Sequence, residues 1–259
     1  MHRFFVPSEV IEGTEIFFPS ELVQQLGRVL RLREGDRVIV LDNSGMEYEV
    51  ELHTFTKRSV QGTVQEARPN RNEPRTLLTL YMALLKGKKM DIVIQKGTEL
   101  GVSRFVPIVT ERSVMNSVDS LSDAKLDRWE AIVREAAEQS GRGRLPEVSE
   151  PLRFDVALDK VQRSEGLSLI PWEEGGQSLR GILAPGNGTP PTEVNLFIGP
   201  EGGFEEEEVR NAQAHGALPV TLGPRILRAE TAALAAAAAI FYELGEWDEP
   251  TEPLEGHTR

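Results

Sequence analysis

From residue 75 onward, short apolar runs alternate with stretches of helical period, and this alternation leaves the chain few architectures. Residues 76–84, 104–109, 167–171, 194–198 and 218–222 read as strands, and residues 89–100, 121–139, 205–215 and 231–244 read as helices. Gly101 follows the first helix as a natural left-handed terminus. The second carries the stripe Leu126, Trp129, Val133 and Ala136 before Gly141. Strands separated by helices cannot pair as simple hairpins, so the pattern predicts an α/β unit with a mainly parallel sheet. There is no internal repeat.

The preceding residues have a different texture. Strand patterns at residues 3–6, 37–42, 46–54 and 59–64 are broken by turn signals such as Asn43-Ser44-Gly45, and Tyr48, Val50 and Leu52 alternate on one face. Pro19 and Ser20 open one short helix with Leu22, Val23 and Leu26 at helical spacing. Short strands with tight turns predict a small β-barrel. The polar stretch ARPNRNEP, residues 67–74, reads as a linker. The expected division is therefore a β-barrel domain over 1–72, an α/β domain over 73–247 and an acidic tail over 248–259; the acidic stretch that makes this tail begins at Glu246 and is expected to be disordered.

Charge and composition narrow the function. A net charge of −12 argues against a nucleic-acid partner for the chain taken whole. The charge is uneven, however: residues 73–115 carry seven basic and four acidic side chains, so a local basic face is available. The absence of cysteine excludes disulfides and thiolate metal sites, and the four histidines are scattered, so no metal is expected. The N-terminus lacks a signal-like apolar stretch, and the alanine-rich run 232–242 is too short to span a bilayer. A cytoplasmic protein without membrane contact is the expectation.

Three strand ends carry sequences that could hold a ligand: LIPWE (169–173), IGPEGG (198–203) and LGPRILRAET (222–231). Ligands of open α/β sheets bind beyond the carboxyl ends of strands. Gly199, Gly202 and Gly203 would let the backbone approach a ligand, although a plain strand-to-helix turn uses the same residues. Thr231 and Glu230 could simply favour a helix N-terminus, which leaves Arg225 and Arg228 unexplained. Glu138 and Arg142, where the helix over 121–139 ends, read first as a solvated terminus with its cation facing the dipole, and alternatively as active-site groups. Lys86, Lys88 and Lys89 read as a solvated run or as phosphate contacts.

Taken together, GRVLRLREGD (27–36), KGKKMDIVIQKGTELGV (86–102), PIVTERS (107–113), EAAEQSGRGRLPEV (135–148), IGPEGGF (198–204) and LGPRILRAETA (222–232) resemble the RsmE family of 16S rRNA (uracil-N3)-methyltransferases, of the SPOUT superfamily. The resemblance covers nearly the whole chain. It implies an N-terminal PUA-like β-barrel that binds RNA and a C-terminal SPOUT α/β domain with a trefoil knot and mainly parallel sheet. It implies a homodimer, S-adenosyl-L-methionine (SAM) as cofactor, and the 16S rRNA of the small ribosomal subunit as substrate, at N3 of one uridine (uracil 1498 in the usual rRNA numbering). The cofactor contacts it implies are Leu169, Pro171, Ile198, Gly199, Pro200, Glu201, Gly202, Gly203, Leu222, Gly223, Ile226, Leu227 and Thr231, mostly through backbone. The expected catalytic group is Arg142 and Arg228 with Glu230 or Glu138. The expected RNA contacts are Arg3, Arg28, Arg31, Arg33, Lys86, Lys88 and Lys89. One departure is Gln24-Gln25, where relatives often carry a histidine. Two rival readings are a non-catalytic RNA binder on the same fold, separated by SAM binding, and a ribose 2′-O methyltransferase, separated by the atom modified.

Overall fold

The computed structural model describes residues 1–56, 59–113, 121–184 and 189–248. The acidic tail from residue 249 lies outside the described residues.

The first sheet contains β1 (Arg3–Phe5), β2 (Ile11–Glu12), β3 (Glu15–Phe17), β4 (Arg37–Leu41), β5 (Met46–Phe55) and β6 (Val60–Pro69) in the order β1-β4-β5-β6-β3-β2. β1 runs parallel to β4 and the remaining pairs are antiparallel. Alternation along the strands puts Phe4, Val38, Val40, Val50, Leu52 and Val60 into one core. The short helix α1 (Ser20–Gln24) continues as a π turn over Gln25–Val29, and it adds Val23 and Leu26 to the same core.

The second sheet contains β7 (Leu77–Ala83), β8 (Arg104–Val109), β9 (Glu147–Val148), β10 (Leu152–Arg153), β11 (Leu167–Pro171), β12 (Gln177–Ser178), β13 (Glu193–Ile198) and β14 (Leu218–Thr221). Its order is β10-β8-β7-β13-β11-β14-β12, with β9 beside β8, and every pair is parallel. The helices are α2 (Lys89–Leu100), α3 (Asp123–Ser140), α4 (Phe154–Gln162), α5 (Leu179–Leu183), α6 (Glu206–Ala214) and α7 (Ala229–Glu243). Both sheet faces are covered, as a parallel sheet requires. Leu78, Leu80 and Met82 of β7 pack with α2, α3, α5 and α7, while Tyr81 and Ala83 pack with α4 and α6. Sequence reasoning missed α4, although Phe154, Ala157, Leu158 and Val161 have helical spacing and are all buried.

Two expectations are corrected. Residues 67–74 are not a free linker. Ala67 to Pro69 complete β6, and the residues after them are bonded on both sides. Asn70 Nδ2 donates to Glu47 and to the Gly141 carbonyl, and Asn72 Nδ2 donates to that carbonyl too. Glu73 accepts from Arg142, Gly143 and Arg144. Burial pushes the Glu47 carboxyl up, but hydrogen bonds from Arg3, Arg68 and Asn70 outweigh it and hold the group below the ordinary carboxylate range. Second, Glu246, counted with the acidic tail, is an anchor. Its carboxylate accepts from the backbone N–H of Arg75 and of Thr76 and from the Thr76 hydroxyl, which fixes the entry to β7.

Candidate functional site

β13, β11 and β14 are neighbours in the sheet with β11 in the middle, so three parallel strands end side by side. The loops that follow enclose a cavity of about 350 Å3. From the first come Pro171, Trp172 and Glu173, and from the second Gly199, Pro200, Glu201, Gly203 and Phe204. The third gives Leu222, Gly223, Arg225, Ile226, Leu227 and Arg228. Strand ends and helix starts close it with Ile198, Thr221, Lys89, Ala229 and Ala232.

The second loop depends on two of its glycines. At Gly199 a Cβ would stand 3.1 Å from the ring of Phe204 and 3.2 Å from its backbone nitrogen, so any larger residue would push Phe204 away from the strand end. Gly203 has φ +71°, which glycine adopts without strain. The loop then feeds α6 through a capping box made by Glu205 and Glu208.

Charge divides the cavity wall. Lys89 Nζ donates to Glu201 Oε1 at 3.0 Å and stands 3.9 Å from Glu230 Oε2. That Glu230 oxygen is buried and has no hydrogen-bond partner among the described residues. Burial raises the Glu201 carboxyl, but Lys89 and the backbone N–H groups of Glu201 and Lys86 bring it below the ordinary range, so it is an anion. Arg225 and Arg228 also line the cavity; they are exposed and make no ion pair among the described residues. Between them in the chain Ile226 is 84% exposed and offers apolar surface to the cavity.

Of the expected cofactor contacts, Pro171, Ile198, Gly199, Pro200, Glu201, Gly203, Leu222, Gly223, Ile226 and Leu227 line the cavity. Leu169 lies in the core, Gly202 faces Arg112, and Thr231 is an exposed residue of the first turn of α7. Nor does Thr231 cap that helix: the N-cap residue is Arg228. Trp172, Glu173 and Phe204 also line the cavity without having been among the expected cofactor contacts; Trp172 and Phe204 directly follow selected positions, and Glu173 ends the LIPWE segment. Lys89, expected on RNA, lines the cavity.

The four expected catalytic side chains fall in two places. Arg228 lines the cavity and Glu230 stands behind Lys89. Arg142 is 3% exposed and belongs to the junction of the two sheets, where it donates to the carbonyls of Thr98 and Val102 and to Glu73. Glu138 is also at that junction and accepts from the backbone N–H of Phe5. At this helix end the polar residues point into the junction of the two sheets, where they are hydrogen-bonded.

Burial raises the Glu138 carboxyl above its ordinary value, against the opposing effects of Phe5 N–H and Arg134. The folded state therefore binds more protons than the unfolded one. Stability falls as pH rises from the ordinary carboxylate pKa through the raised one. Glu138→Gln keeps an acceptor for Phe5 without the charge. Thermal melts should show it no more stable than the parent at about pH 4 and more stable at about pH 7. Equal pH profiles for the two proteins would contradict this.

The expected RNA contacts also separate. Arg28, Arg31 and Arg33 are exposed and without ion pairs among the described residues, on a segment where Val29 is 72% exposed and Arg31 has φ 57°. Lys86 and Lys88 are exposed beside the cavity loop, and Gln24 and Gln25 are exposed in α1 and the turn after it. Arg3 is committed to the buried Glu47 at 2.8 Å.

Comparison with known proteins gives these observations a setting. Residues 71–241 match the RNA methyltransferase domain family, and residues 26–65 match the RNA methyltransferase PUA domain family. The ribosomal RNA small subunit methyltransferase E of Bacillus subtilis is 34% identical over 252 residues, covering 94% of this chain and 97% of its own. That of Synechocystis is 38% identical over 234 residues, covering 90% and 75%. The crystal structure of the same enzyme from Neisseria gonorrhoeae bound to S-adenosyl methionine superposes with TM-score 0.83 and 33% identity, over 93% of this chain and 97% of that one. A methyltransferase from Legionella pneumophila in complex with bound SAM gives TM-score 0.80 and 32% identity, over 93% and 96%.

Proposed function

Because the chain belongs to the ribosomal RNA small subunit methyltransferase E family, we propose that it transfers a methyl group from SAM to N3 of one uridine in the 16S rRNA of the small subunit. The observation that carries this reading is the cavity at three adjacent parallel strand ends, lined by two exposed guanidiniums that make no ion pair among the described residues. Its lining suits SAM. Gly199 to Gly203 and Leu222 to Leu227 offer backbone donors and acceptors, Ile198, Ile226, Leu227 and Ala232 offer apolar walls to an adenine, and Glu173 and Glu201 complement cationic groups. When bound there, the cofactor supplies an electrophilic methyl carbon.

Uridine N3 carries a proton and lies inside a base pair, so the base must be unpaired, its N3 proton released to water and the resulting anion favoured. Arg228, with Arg225 beside it, presents donors toward the uracil carbonyl oxygens, where that anion carries its charge. Glu230 has an orienting role: it stands behind Lys89, which it and Glu201 hold against the cavity wall. Arg142 and Glu138 brace the junction instead. Leu169, Gly202 and Thr231 act indirectly, through the strand, the loop and the helix that carry the cavity wall. We assign residues 1–72 to RNA binding and 73–247 to the methyltransferase unit with its knot, in a cytoplasmic homodimer. The exposed rings of Tyr242 and Trp247 at the end of α7 supply apolar surface for the second copy.

The test is methyl transfer from labelled SAM to unmodified small subunits, followed by reverse transcription. N3 methylation blocks base pairing, so a SAM-dependent stop at one uridine is expected. SAM binding without incorporation into subunits or free rRNA would overturn the substrate. Arg28, Arg31 and Arg33 should carry phosphate contacts, with Lys86 and Lys88 near the cavity. RNA affinity should fall steeply with salt. Replacing the three arginines by alanine should flatten the slope of log K against log salt by about 2–3. An unchanged slope would remove them from the interface.

A further inference from the structure

The loop after β13 is held from outside by a side chain that has no role so far. Arg112, in the turn after β8, donates Nη1 to the Gly202 carbonyl at 2.8 Å and Nε to Glu205 Oε1 at 2.7 Å. Its aliphatic stem lies over Gly202, where a Cβ would stand 3.4 Å from Arg112 Cβ and Cδ. The same turn makes a second tie. The backbone N–H of Glu111 donates to Glu208 Oε1 at 3.0 Å, while Glu208 Oε2 accepts from the Glu205 N–H at 2.8 Å. Both carboxylates that cap α6 are therefore also bonded to the β8 turn.

Arg112 does not line the cavity, and its side chain is 43% exposed. What it touches is the outer side of a loop whose inner side is the cavity wall. A site that reads its ligand through backbone groups needs that backbone held before the ligand arrives. If the loop samples other conformations, the cost of ordering it appears in affinity. A guanidinium bonded at once to a carbonyl and a carboxylate three residues apart restricts such sampling, and charge-assisted bonds are the stronger kind.

We propose that Arg112 is a positioning residue for the cofactor, acting through Gly202 and Glu205 to keep residues 199–205 in their binding conformation. The inference rests on the cavity being the SAM site. Its consequence is a division of effects: SAM affinity depends on Arg112, while the chemical step and RNA affinity do not.

The experiment measures SAM binding by calorimetry, or by the fluorescence of Trp172 in the cavity wall, on the full chain as wild type, Arg112→Ala and Arg112→Lys. Arg112→Ala should weaken SAM about tenfold. KM for SAM should rise by the same factor, while kcat at saturating SAM and KM for RNA stay within about twofold. Arg112→Lys, which can keep one of the two bonds, should fall between. Arg112→Ala with the SAM affinity of a wild type that binds SAM overturns this inference alone. A parallel loss in kcat and RNA KM also overturns it, because general loosening of the fold then accounts for the effect. A wild-type chain that does not bind SAM overturns the reading of the cavity and this inference with it.

Discussion

Arg228→Ala is expected to slow methyl transfer by about 10^2–10^3-fold at saturating SAM, the usual loss when one preorganised donor to a developing negative charge is removed. Stability should scarcely change. The Arg228 side chain is exposed and makes no hydrogen bond or ion pair among the described residues, and although Arg228 is the N-cap residue of α7 its side chain makes no capping bond. Surface changes of this kind shift stability by no more than about 0.5 kcal/mol. SAM affinity should move by no more than about threefold, the remaining wall being intact. Arg228→Lys should recover only part of the rate, because an ammonium restores the charge but not the planar pair of donors. Single-turnover measurements with the cofactor saturating isolate the step. A wild-type rate in Arg228→Ala would take Arg228 out of the chemistry and leave Arg225 and Lys89 as the cations of the cavity.

The selection of Arg228 shows what a sequence can and cannot disclose. Strands β7, β8, β11, β13 and β14 were legible because each is an apolar run between turn residues. The loops after β11, β13 and β14 stood out because they concentrate glycine, proline and charge where a simple turn needs little. What patterning could not supply was adjacency. β11 lies between β13 and β14 although it precedes both in the chain, and it is this order that brings the three loops to one cavity. Lys89 shows the same limit. In a lysine run it resembles a solvated charge, and only its carboxylate neighbours on two other segments make it part of the wall.

Polarity misled in the same way at the junction. Residues 67–74 are polar with two prolines, the composition of a linker, and Arg142 follows a helix end, the usual place of a solvated cation. Neither pattern records that the two segments are partners. Composition measures the preference of each residue for water, and a buried polar network meets that preference with protein groups instead.

That network sets the second large effect. Glu73→Ala should destabilise the fold by about 3–5 kcal/mol, the range found when one partner of a buried ion pair is removed. Glu73 accepts from Arg142 Nη2 at 2.8 Å and from the backbone N–H groups of Gly143 and Arg144 at 2.9 and 3.1 Å. The Arg142 side chain is only 4% exposed, so without Glu73 its charge stays buried against two carbonyls, and both N–H groups lose their acceptor. At this chain length the loss corresponds to a fall in Tm of about 10 °C. Glu73→Gln keeps one acceptor and should lose less. Because these bonds tie the segment after β6 to the end of α3, a weakened junction should also let the two sheets melt separately, so Glu73→Ala is expected to split one calorimetric transition into two. Methyl transfer per folded molecule should remain near wild type at low temperature, since the junction is remote from the cavity wall. A melt within about 1 kcal/mol of the parent would show that the junction is not held by this pair. Selective loss of turnover at full stability would return Arg142 to the active site.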